Sequence, residues 1–542
     1  MWHRHPFVAA VFSIGLSLTG IAQTLAEEPY EIDWVFQDGS VRADYAEAVA
    51  VDADGFIYSV GRTHGDYFGS GGAVVDTFLT KHSPEGDLVW GRQLRGDGAS
   101  KHVLGFGAAA DPLGNVIIGA RTSGALFSAI EPETAPWDGV VAKYSPDGNL
   151  LWGVRTGTAG REEIYGVSTD TFGNIYAIGY TSGDYARPIE GPSGSYDATL
   201  IKLDPDGGEL WRAQIGTEGR EWARAVATAP DGGVFVAGFT GGDLEQENVG
   251  EHDVFVTRFN PEGTKRWGLQ FGTENREEAT GIAVDPLGNA YVTGLTGGPL
   301  AGTPGGYFDV FLAKINPSGA INWIRQADSV QGTESDVARA IAVDDEGNAF
   351  LAGYTQGVFV GENLGREDML VLKYDTDGNR IWENQIGTTG ADDLFGVALG
   401  PQGEVYLAGY SNGNFPGEEH NGASQVLIKL IPGPVEIAGD LNGDGTLDNS
   451  DINPFIQALI DPDGYASTHG TLNPDALGDF NDDGTLDNLD IFGFVNALTG
   501  GEELSAEQVT LFEQANLQHV PEPGSLALLA LGGLAFAPRR RR

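Results

Sequence analysis

The chain has 542 residues, and 31 Lys and Arg stand against 77 Asp and Glu, which gives a formal net charge of −46. Binding to a nucleic-acid backbone needs clustered positive charge, so this balance argues against nucleic acid as a partner and favours cations or basic surfaces. The 81 glycines indicate a turn-rich fold, and 41% apolar residues argue against wholesale disorder. A chain this long predicts either several domains or a repeat architecture.

Residues 1–26 have the pattern of a secretory signal peptide. A basic start is followed by an apolar run from Phe7 to about Ala22, and the small residue Ala26 precedes acidic chain. We expect cleavage after Ala26; an uncleaved anchor is the alternative, although the run is short for a membrane span. The sequence has no cysteine, so the exported chain must be held together by its core or by metal.

One unit recurs from residue 31 to residue 431. In six places a Trp stands nine residues after a basic residue, in the pairs Lys81/Trp90, Lys143/Trp152, Lys202/Trp211, Arg258/Trp267, Lys314/Trp323 and Lys373/Trp382. Turns such as SPDGN close a hairpin between the two residues, and a second hairpin such as AVDPLGNAYVTGLT completes the unit. Four short strands in roughly 56 to 62 residues predict one propeller blade per unit.

The count of units is seven. A glycine that ends the second strand occurs at Gly61, Gly119, Gly179, Gly238, Gly294, Gly353 and Gly409. The seventh basic strand, at Lys429, has no Trp nine residues later, whereas Trp34 has no hairpin before it. We therefore predict an all-β, seven-bladed propeller over residues 31–431, closed by the N-terminal strand of Trp34 beside Lys429. Such closure removes the exposed edges of an open array.

These units resemble the seven-bladed β-propeller repeat (SBBP) family, whose members are secreted or surface bacterial proteins. The resemblance covers about residues 31–431 and rests on the pattern G-N-x-Y-x-x-G together with D-x-x-x-x-K. It implies the fold and export, and it says very little about chemistry.

Two acidic columns run through the repeats. In the first column, an acidic residue stands five residues before the basic residue of the unit. Its members are Asp76, Asp138, Asp197, Asp253, Asp309 and Asp368, with Ser424 in the seventh unit. We expect these residues to satisfy loop N–H groups or to pair with a nearby base rather than to bind a ligand. The members of the second column are Asp44, Glu162, Glu221, Glu277, Asp336 and Asp392, with Val103 in the second unit. If the loops that carry them share one rim of the propeller, they would form an acidic ring that could hold a cation or a basic partner. The alternative is that they are solvated loop charges.

Catalysis finds little support in the sequence. The nine His do not recur at matching repeat positions, and the sequence has no His pair at metal-site spacing, no G-x-S-x-G elbow and no phosphate loop. The repeated Trp residues could be sugar-stacking platforms, but their fixed place in one strand favours blade packing. We do not expect an enzyme.

Residues 432–500 predict a small α-helical domain with two calcium loops. DLNGDGTLDNSD and DFNDDGTLDNLD place oxygen ligands at positions 1, 3, 5, 7, 9 and 12 of a twelve-residue loop, with Gly at position 6 and Leu447 or Leu486 at position 8. The candidate ligands of two Ca²⁺ ions are Asp440, Asn442, Asp444, Thr446, Asp448 and Asp451 in the first loop, and Asp479, Asn481, Asp483, Thr485, Asp487 and Asp490 in the second.

Each loop precedes a predicted helix, DINPFIQALI or DIFGFVNAL, and no helix enters the first loop because Pro and Gly interrupt the preceding chain. Duplicated loop–helix units resemble a type I dockerin, which implies docking to a cohesin-type protein. Position 12 is Asp rather than Glu, and the loops start 39 residues apart, which is long for that family. A calcium-stapled terminal domain without a cohesin partner is the alternative.

After a linker over residues 501–519, residues 520–542 resemble a PEP-CTERM sorting signal. Val-Pro-Glu-Pro is followed by an apolar run and four terminal Arg. The resemblance implies transient engagement with the membrane, processing by an exosortase, and delivery to the cell envelope surface or the extracellular matrix; a plain tail anchor is the alternative.

These patterns together predict an exported monomer that acts as a binding or scaffold protein. The propeller would recognise a protein, glycan or matrix component, and the dockerin-like domain would dock to a cohesin-type partner. The alternative function is a component of an extracellular polysaccharide-degrading assembly, which would require two convergent catalytic acids in a cleft.

Overall fold

The structure is a computed structural model that describes residues 30–69, 75–96, 101–124, 126–129, 137–185, 196–303, 305–329, 334–416, 422–433, 441–442, 447, 450–469, 474–480, 486 and 490–498. The signal peptide, the linker and the sorting tail of the sequence analysis lie outside these residues. The propeller forms one compact unit that ends at Gly433, and the described residues after it belong to a second unit.

Seven antiparallel sheets make up the propeller, so the predicted fold is confirmed. The strands in chain order are β1 (Tyr30–Asp38), β2 (Asp44–Val51), β3 (Ile57–Thr63), β4 (Asp76–His82), β5 (Leu88–Leu94), β6 (Val103–Ala110), β7 (Val116–Thr122), β8 (Ser128–Ala129), β9 (Asp138–Tyr144), β10 (Leu150–Thr156), β11 (Glu162–Thr169), β12 (Ile175–Thr181), β13 (Asp197–Leu203), β14 (Glu209–Ile215), β15 (Glu221–Thr228), β16 (Val234–Thr240), β17 (Asp253–Phe259), β18 (Lys265–Phe271), β19 (Glu277–Val284), β20 (Ala290–Thr296), β21 (Asp309–Ile315), β22 (Ile321–Ala327), β23 (Asp336–Val343), β24 (Ala349–Thr355), β25 (Asp368–Tyr374), β26 (Arg380–Ile386), β27 (Asp392–Leu399), β28 (Val405–Ser411) and β29 (Ser424–Pro432).

Each blade is a four-stranded meander that starts with an inner strand. Blades one to seven start at β2, β6, β11, β15, β19, β23 and β27, and each ends at an outer strand that carries the repeated Trp. Blade two has an additional two-residue strand, β8, which pairs in parallel with β10 and was not predicted.

The last blade is completed from the other end of the chain. Its strand order is β27, β28, β29 and β1, and Trp34 pairs with Lys429 in an antiparallel ladder from Tyr30 to Asp38. The prediction that the N-terminal strand closes the ring is confirmed. A ring without a free blade edge at the seam leaves fewer unpaired backbone groups for association with another chain.

The core lies between adjacent blades. The second and third strands are buried along nearly their whole length, as in β12 and β13, because both of their faces pack against neighbouring sheets. The outer strands begin exposed, as in β14, where the sheet meets solvent. Near the axis, a Cβ added at Gly107 would come within 3.4 Å of the backbone of Gly166 in the next blade, so this position has little room for a side chain.

The second unit contains four helices among its described residues: α1 (Ile452–Ile460), α2 (Pro462–His469), α3 (Pro474–Gly478) and α4 (Ile491–Leu498). The helices expected after each loop correspond to α1 and α4, whereas α2 and α3 occupy a segment for which no helix was predicted. The rings of Phe455 and Phe494 stack with centroids 3.9 Å apart, and Leu447 and Leu486 pack against the same core. None of the described helices is long and apolar enough to cross a membrane.

Candidate functional site at the mouth of the central channel

The repeated Trp and basic residues hold neighbouring blades together. Trp90 Nε1 donates to the Pro146 carbonyl in the next blade at 2.9 Å, and Lys81 Nζ donates to the same oxygen at 3.3 Å. The seam uses the same contact, because Trp34 and Lys429 both donate to the carbonyl of Pro84 at 3.2 Å. The interpretation of the Trp residues as blade-packing groups is therefore confirmed.

The aspartates that start the third strands are structural. Each of five accepts a hydrogen bond of 2.5 to 2.9 Å from the amide of a glutamine three residues after the repeated Trp, in the pairs Asp76–Gln93, Asp197–Gln214, Asp253–Gln270, Asp309–Gln326 and Asp368–Gln385. In blade two Arg155 takes the place of the glutamine. The same glutamines also bind loop backbone groups, so this column fixes the loops of one rim, and the glutamine partner was missed from the sequence.

The second acidic column is also buried, so it forms neither an open acidic ring nor solvated loop charge. In blade four, Glu221 accepts hydrogen bonds from Thr217 N at 2.8 Å and from the hydroxyls of Thr217 and Thr240 at 2.7 Å. Burial raises the pKa of several members of this column, namely Asp44, Glu221, Asp336 and Asp392. The described partners are Ser and Thr hydroxyls and loop N–H groups, which corrects both interpretations of this column.

Every inner strand carries a β-bulge one residue before its first small residue. In blade one, Ala46 pairs with Gly61 and Ala48 with Val60, so Glu47 is the extra residue. Bulges redirect side chains and are frequent next to binding sites. The seven bulged residues are Glu47, Phe106, Tyr165, Arg224, Thr280, Arg339 and Phe395.

A glycine faces the bulge in six blades. A Cβ at Gly238 would lie closer than 3.0 Å to the carbonyl oxygen of Trp222, so a side chain cannot be added without moving the backbone. In blade two the prediction is off by one residue, because Ala120 and not Gly119 holds this register position. Blade two therefore shows that a bulge can adjust to one methyl group.

Six of the bulged residues line one cavity at the axis, of about 170 Å³, to which all seven inner strands contribute. The lining combines an acid, a base, three aromatic rings and a hydroxyl, namely Glu47, Arg339, Phe106, Tyr165, Phe395 and Thr280. The wall of the cavity therefore carries both polar and apolar side chains.

Two buried acids face Arg339 in this channel. Asp393 Oδ2 accepts from Arg339 Nη2 at 2.9 Å, and Glu47 pairs with Arg62 at 2.9 Å. Burial raises the pKa of Glu47 to about 7, although Arg62 and Arg339 oppose the shift. Burial likewise raises the pKa of Asp393 to about 6 against the opposing charge of Arg339.

The acids of blades three and five are held in the ionised form. Burial acts to raise the pKa of Glu163, but the charge of Arg121 and hydrogen bonds from Tyr180, Arg121 and Arg161 outweigh it, and the pKa lies below its usual value. Burial also opposes ionisation of Glu278, but hydrogen bonds from His252 and Arg276 lower its pKa overall. The inner strands of these two blades therefore hold buried carboxylates that are paired with basic side chains.

Aromatic rings form a stack between blades three and four. The rings of Tyr180 and Trp222 lie 4.7 Å apart at 13°, and Tyr165 lies 6.2 Å from Trp222. The guanidinium carbon of Arg224 lies 4.8 Å from the ring centroids of both Tyr165 and Trp222. The sequence could not show this group, because the bulge breaks the alternation that assigns strand faces.

Four of the twelve candidate calcium ligands are described, and the other eight, Asp440, Asp444, Thr446, Asp448, Asn481, Asp483, Thr485 and Asp487, lie outside the described residues. Asp451 and Asp490, at position 12 of their loops, are fully buried. Asp451 accepts the N–H of Asn442 at 3.0 Å, and Asp490 accepts the N–H of Phe480, next to Asp479, at 2.8 Å. Each position-12 carboxylate thus accepts a backbone N–H from the first three residues of its own sequence motif.

Comparisons with known protein families match the propeller repeats and the C-terminal sorting motif. Residues 152–186, 266–301 and 322–359 match the family described as SBBP, Beta-propeller repeat, and residues 519–542 match the PEP-CTERM protein-sorting motif. Each propeller match begins in one outer strand and ends beyond the second strand of the next blade. The repeat as it is read in the sequence therefore spans two blades. The sorting motif indicates export.

Two curated proteins are similar over part of the chain. The chain is 23% identical over 496 residues to "Uncharacterized WD repeat-containing protein L264" of Acanthamoeba polyphaga mimivirus, with 71% of this chain and 34% of that protein covered. It is 30% identical over 146 residues to "Regulatory protein FlaEY" of Caulobacter vibrioides, with 24% and 15% covered. The chain thus spans about a third or less of the length of either relative.

Among solved structures, "YCF48 bound to D1 peptide" is similar at 12% identity with a TM-score of 0.39, covering 75% of this chain and 98% of that one. The α-L-arabinofuranosidase Arb93A from Fusarium graminearum is similar at 10% identity with a TM-score of 0.38, covering 74% and 98%. The chain is an all-β seven-bladed propeller with beta-propeller repeats and a C-terminal PEP-CTERM sorting motif.

Proposed function

We propose that this protein is an exported binding protein whose propeller recognises a ligand at the mouth of its central channel. The observation that carries the proposal is the bulge in each inner strand, which turns seven side chains of five residue types out of the regular strand pattern. Export is supported by the sorting motif at residues 519–542. Recognition needs fixed polar groups in a partly apolar concavity, and the channel has both.

The test is to narrow the channel and to open it. Thr280→Phe adds a ring at a position where three other blades already carry an aromatic residue, so the fold should tolerate it, and Tyr165→Ala removes a ring. Both variants should lose binding to glycans or proteins captured by the wild-type chain on an array. Val89→Phe, on the exposed face of an outer strand, is the matched control and should bind normally. Unchanged binding by both channel variants would refute the proposal.

The second unit would serve as a calcium-stabilised docking module. Two buried position-12 carboxylates and the stacked pair Phe455–Phe494 support a duplicated loop–helix unit. Ca²⁺ would supply the charge that offsets several carboxylates in each loop and would thereby couple metal binding to folding. A pull-down with a cohesin domain, in calcium and in chelator, tests the docking: capture in calcium alone supports a cohesin-type partner, and no capture in either supports a stapled terminal domain.

Participation in polysaccharide degradation is the second candidate function. Glu47 and Asp393 favour it, because both face Arg339 and have raised pKa values of about 7 and about 6, which suit acid–base chemistry near neutral pH. Release of reducing sugar from plant or microbial polysaccharides by the full chain would support hydrolysis, provided that Glu47→Gln or Asp393→Asn abolishes the release. Binding without release in wild type would leave recognition as the function.

A further inference from the structure

Exposed apolar side chains concentrate at one end of the propeller. This end, which we call the hairpin face, carries the two turns that join the first to the second strand and the third to the outer strand of each blade; in blade one these turns are residues 52–56 and 83–87. Of the fifteen large apolar side chains that are exposed in the described part of the chain, ten lie at this face. The other five lie in loops at the opposite end, which also holds the bulges: Val41, Val249, Tyr307, Val360 and Leu364.

Three of the ten stand at the tips of the first turns. Leu113, Phe172 and Leu287 each precede the positive-φ glycine of the turn, and they are 80%, 80% and 81% exposed. The other four blades carry a polar residue at this position, namely Asp54, Asp231, Glu346 and Gln402. Because the same turn forms with a polar residue, packing within the blade does not account for these three apolar side chains.

Leu113 and Phe172 lie in neighbouring turns. The hydroxyl of Thr169, at the end of the inner strand of blade three, donates to the carbonyl of Ala110 at the end of the inner strand of blade two at 2.8 Å. The turns that carry Leu113 and Phe172 follow directly after these two strand ends. The two most exposed apolar tips of blades two and three therefore stand side by side.

The apolar area continues to the outer strand of blade two. The first turn of this blade lies against the outer turn, since a Cβ at Gly114 would be 3.6 Å from Pro146. The outer turn leads directly into Leu150 and Leu151, whose side chains are about half exposed. Contiguous exposed apolar area that is rimmed by polar residues marks an interaction surface for a protein or a membrane.

The course of the chain favours a membrane as the partner. Tyr30 pairs with Pro432, so the chain enters and leaves the propeller at the hairpin face. The apolar run of the predicted signal peptide ends at about Ala22, and the eight residues from there to Tyr30 span at most about 30 Å when extended. The chain that leaves at Pro432 leads to the sorting motif at residues 519–542. Both export signals are thus connected to the propeller at the face that carries the apolar side chains.

The charge of the chain restricts the kind of membrane. A net charge of −46 opposes adsorption to a surface rich in anionic lipid, and the outer turns of blades one to three add exposed acids at Glu85, Asp147 and Asp206. Exposed Leu and Phe side chains gain free energy when they are buried at the boundary between headgroups and acyl chains, and this gain needs no charge on the lipid. The surface therefore fits a zwitterionic bilayer.

We propose that the hairpin face of blades two and three docks on the surface of a zwitterionic lipid bilayer, with Leu113 and Phe172 inserted below the headgroups. This inference goes beyond the proposed recognition function. It orients the propeller so that the mouth of the central channel, at the opposite end of the strands, faces away from the membrane.

A fluorophore attached at one position of the full chain tests the contact. The sequence has no cysteine, so Leu113→Cys and Phe172→Cys can each be labelled with the environment-sensitive fluorophore NBD. Tyr307→Cys, exposed at the opposite end, is the matched control. With phosphatidylcholine vesicles, the first two labels should brighten and be quenched by spin-labelled lipid, and the control label should not. Because each label reports only its own surroundings, insertion of either end of the chain into the bilayer does not produce this signal.

Polar substitutions assign the contact to the apolar side chains. Leu113→Asp, in the chain labelled at Phe172→Cys, should reduce the increase in fluorescence several-fold, because it would place a charge among the acyl chains. Val360→Asp adds the same charge at the opposite end and should leave the increase unchanged. Asp54 and Asp231 occupy the equivalent position in blades one and four, so the turn accepts Asp, and circular dichroism establishes that each variant is folded.

Several results would overturn the proposal. One is that neither label at the hairpin face brightens with phosphatidylcholine vesicles, and another is that the label at Tyr307→Cys brightens equally, which would indicate adsorption without orientation. Brightening that requires phosphatidylglycerol would show that charge and not apolar contact holds the protein. Brightening without vesicles that grows with protein concentration would show that a second copy of the chain covers this face.

Discussion

The seam of the ring can be tested with a pair of equivalent tryptophans. Trp34 and Trp211 make the same contact with the next blade, through Nε1 to the carbonyl of Pro84 at 3.2 Å and of Pro261 at 3.0 Å. Each ring also lies against the turn glycine of that blade, Gly86 or Gly263. The two positions differ in connection: β14 is joined to its partner strand by a short hairpin, whereas β1 pairs with a strand nearly 400 residues away.

The expected magnitude follows from these contacts. Trp34→Ala removes one hydrogen bond, which contributes about 1 kcal/mol. It also removes a half-buried ring; since truncation of a fully buried ring costs about 3–5 kcal/mol, we take about 2 kcal/mol for this one. The sum of about 3 kcal/mol corresponds to roughly a hundredfold change in an opening equilibrium. At the seam, this loss should allow β1 to detach alone, because no hairpin returns it to β29.

Hydrogen exchange followed by mass spectrometry of the full chain is the assay. In Trp34→Ala, amides of β1 and β29 should exchange about a hundredfold faster, while those of the other blades change little. In Trp211→Ala, the amides of β14, which a hairpin connects to its partner strand, should exchange more slowly than the amides of β1 do in Trp34→Ala. If the amides of β1 and β14 exchange equally faster in their respective variants, or if exchange at β1 does not change, then β1 does not determine how the ring is closed.

Three further predictions concern other parts of the molecule. Because the pKa of Glu47 in the folded protein is raised from 4.5 to about 7, its contribution to stability is complete below pH 4.5 and is lost as pH rises through 7, a loss of up to about 3 kcal/mol in the free energy of unfolding. Glu47→Gln should therefore flatten the fall in melting temperature between pH 5 and pH 8, and an unchanged pH profile of the melting temperature would contradict this prediction. Gly238→Ala should cost about 1–3 kcal/mol in urea unfolding, whereas Gly302→Ala, in an exposed loop with ordinary contacts, should be neutral; equal effects would rule out the bulge argument. Chelation of calcium should unfold residues 439–498 and leave the propeller folded. A circular-dichroism melt with a single transition whose midpoint is the same with and without chelator would contradict metal-coupled folding.

The fold was predictable because its determinants are local and repeated. The nine-residue spacing from Lys81 to Trp90 defines the outer hairpin, and the missing Trp after Lys429 together with the additional Trp34 fixes the seam. Blade number and closure need only these spacings. The helices α2 and α3 were missed because their sequence has no marked apolar periodicity and includes Pro and Gly.

The candidate site was predictable only in part. Strand periodicity assigns Glu47 to the same face as Val49, but Glu47 is the extra residue of a bulge, and the bulge turns its side chain into the channel. The alternation of apolar and polar residues along a strand does not show where such a bulge occurs. Glu221 looked like a rim charge because acidic loop residues are usually solvated. Its burial depends on Thr240 in the neighbouring strand, a tertiary contact that spacing does not show.

The antiparallel seam also determines how the ring would respond to force. Tyr30 pairs with Pro432, so the two chain segments that enter and leave the propeller do so side by side, at the same end of one ladder. A load that separates those segments would act on one pair of backbone hydrogen bonds at a time, as in unzipping, rather than on the whole ladder in shear. Tension between the termini would therefore peel the first strand away at low force, while the other six sheets carry almost none of it.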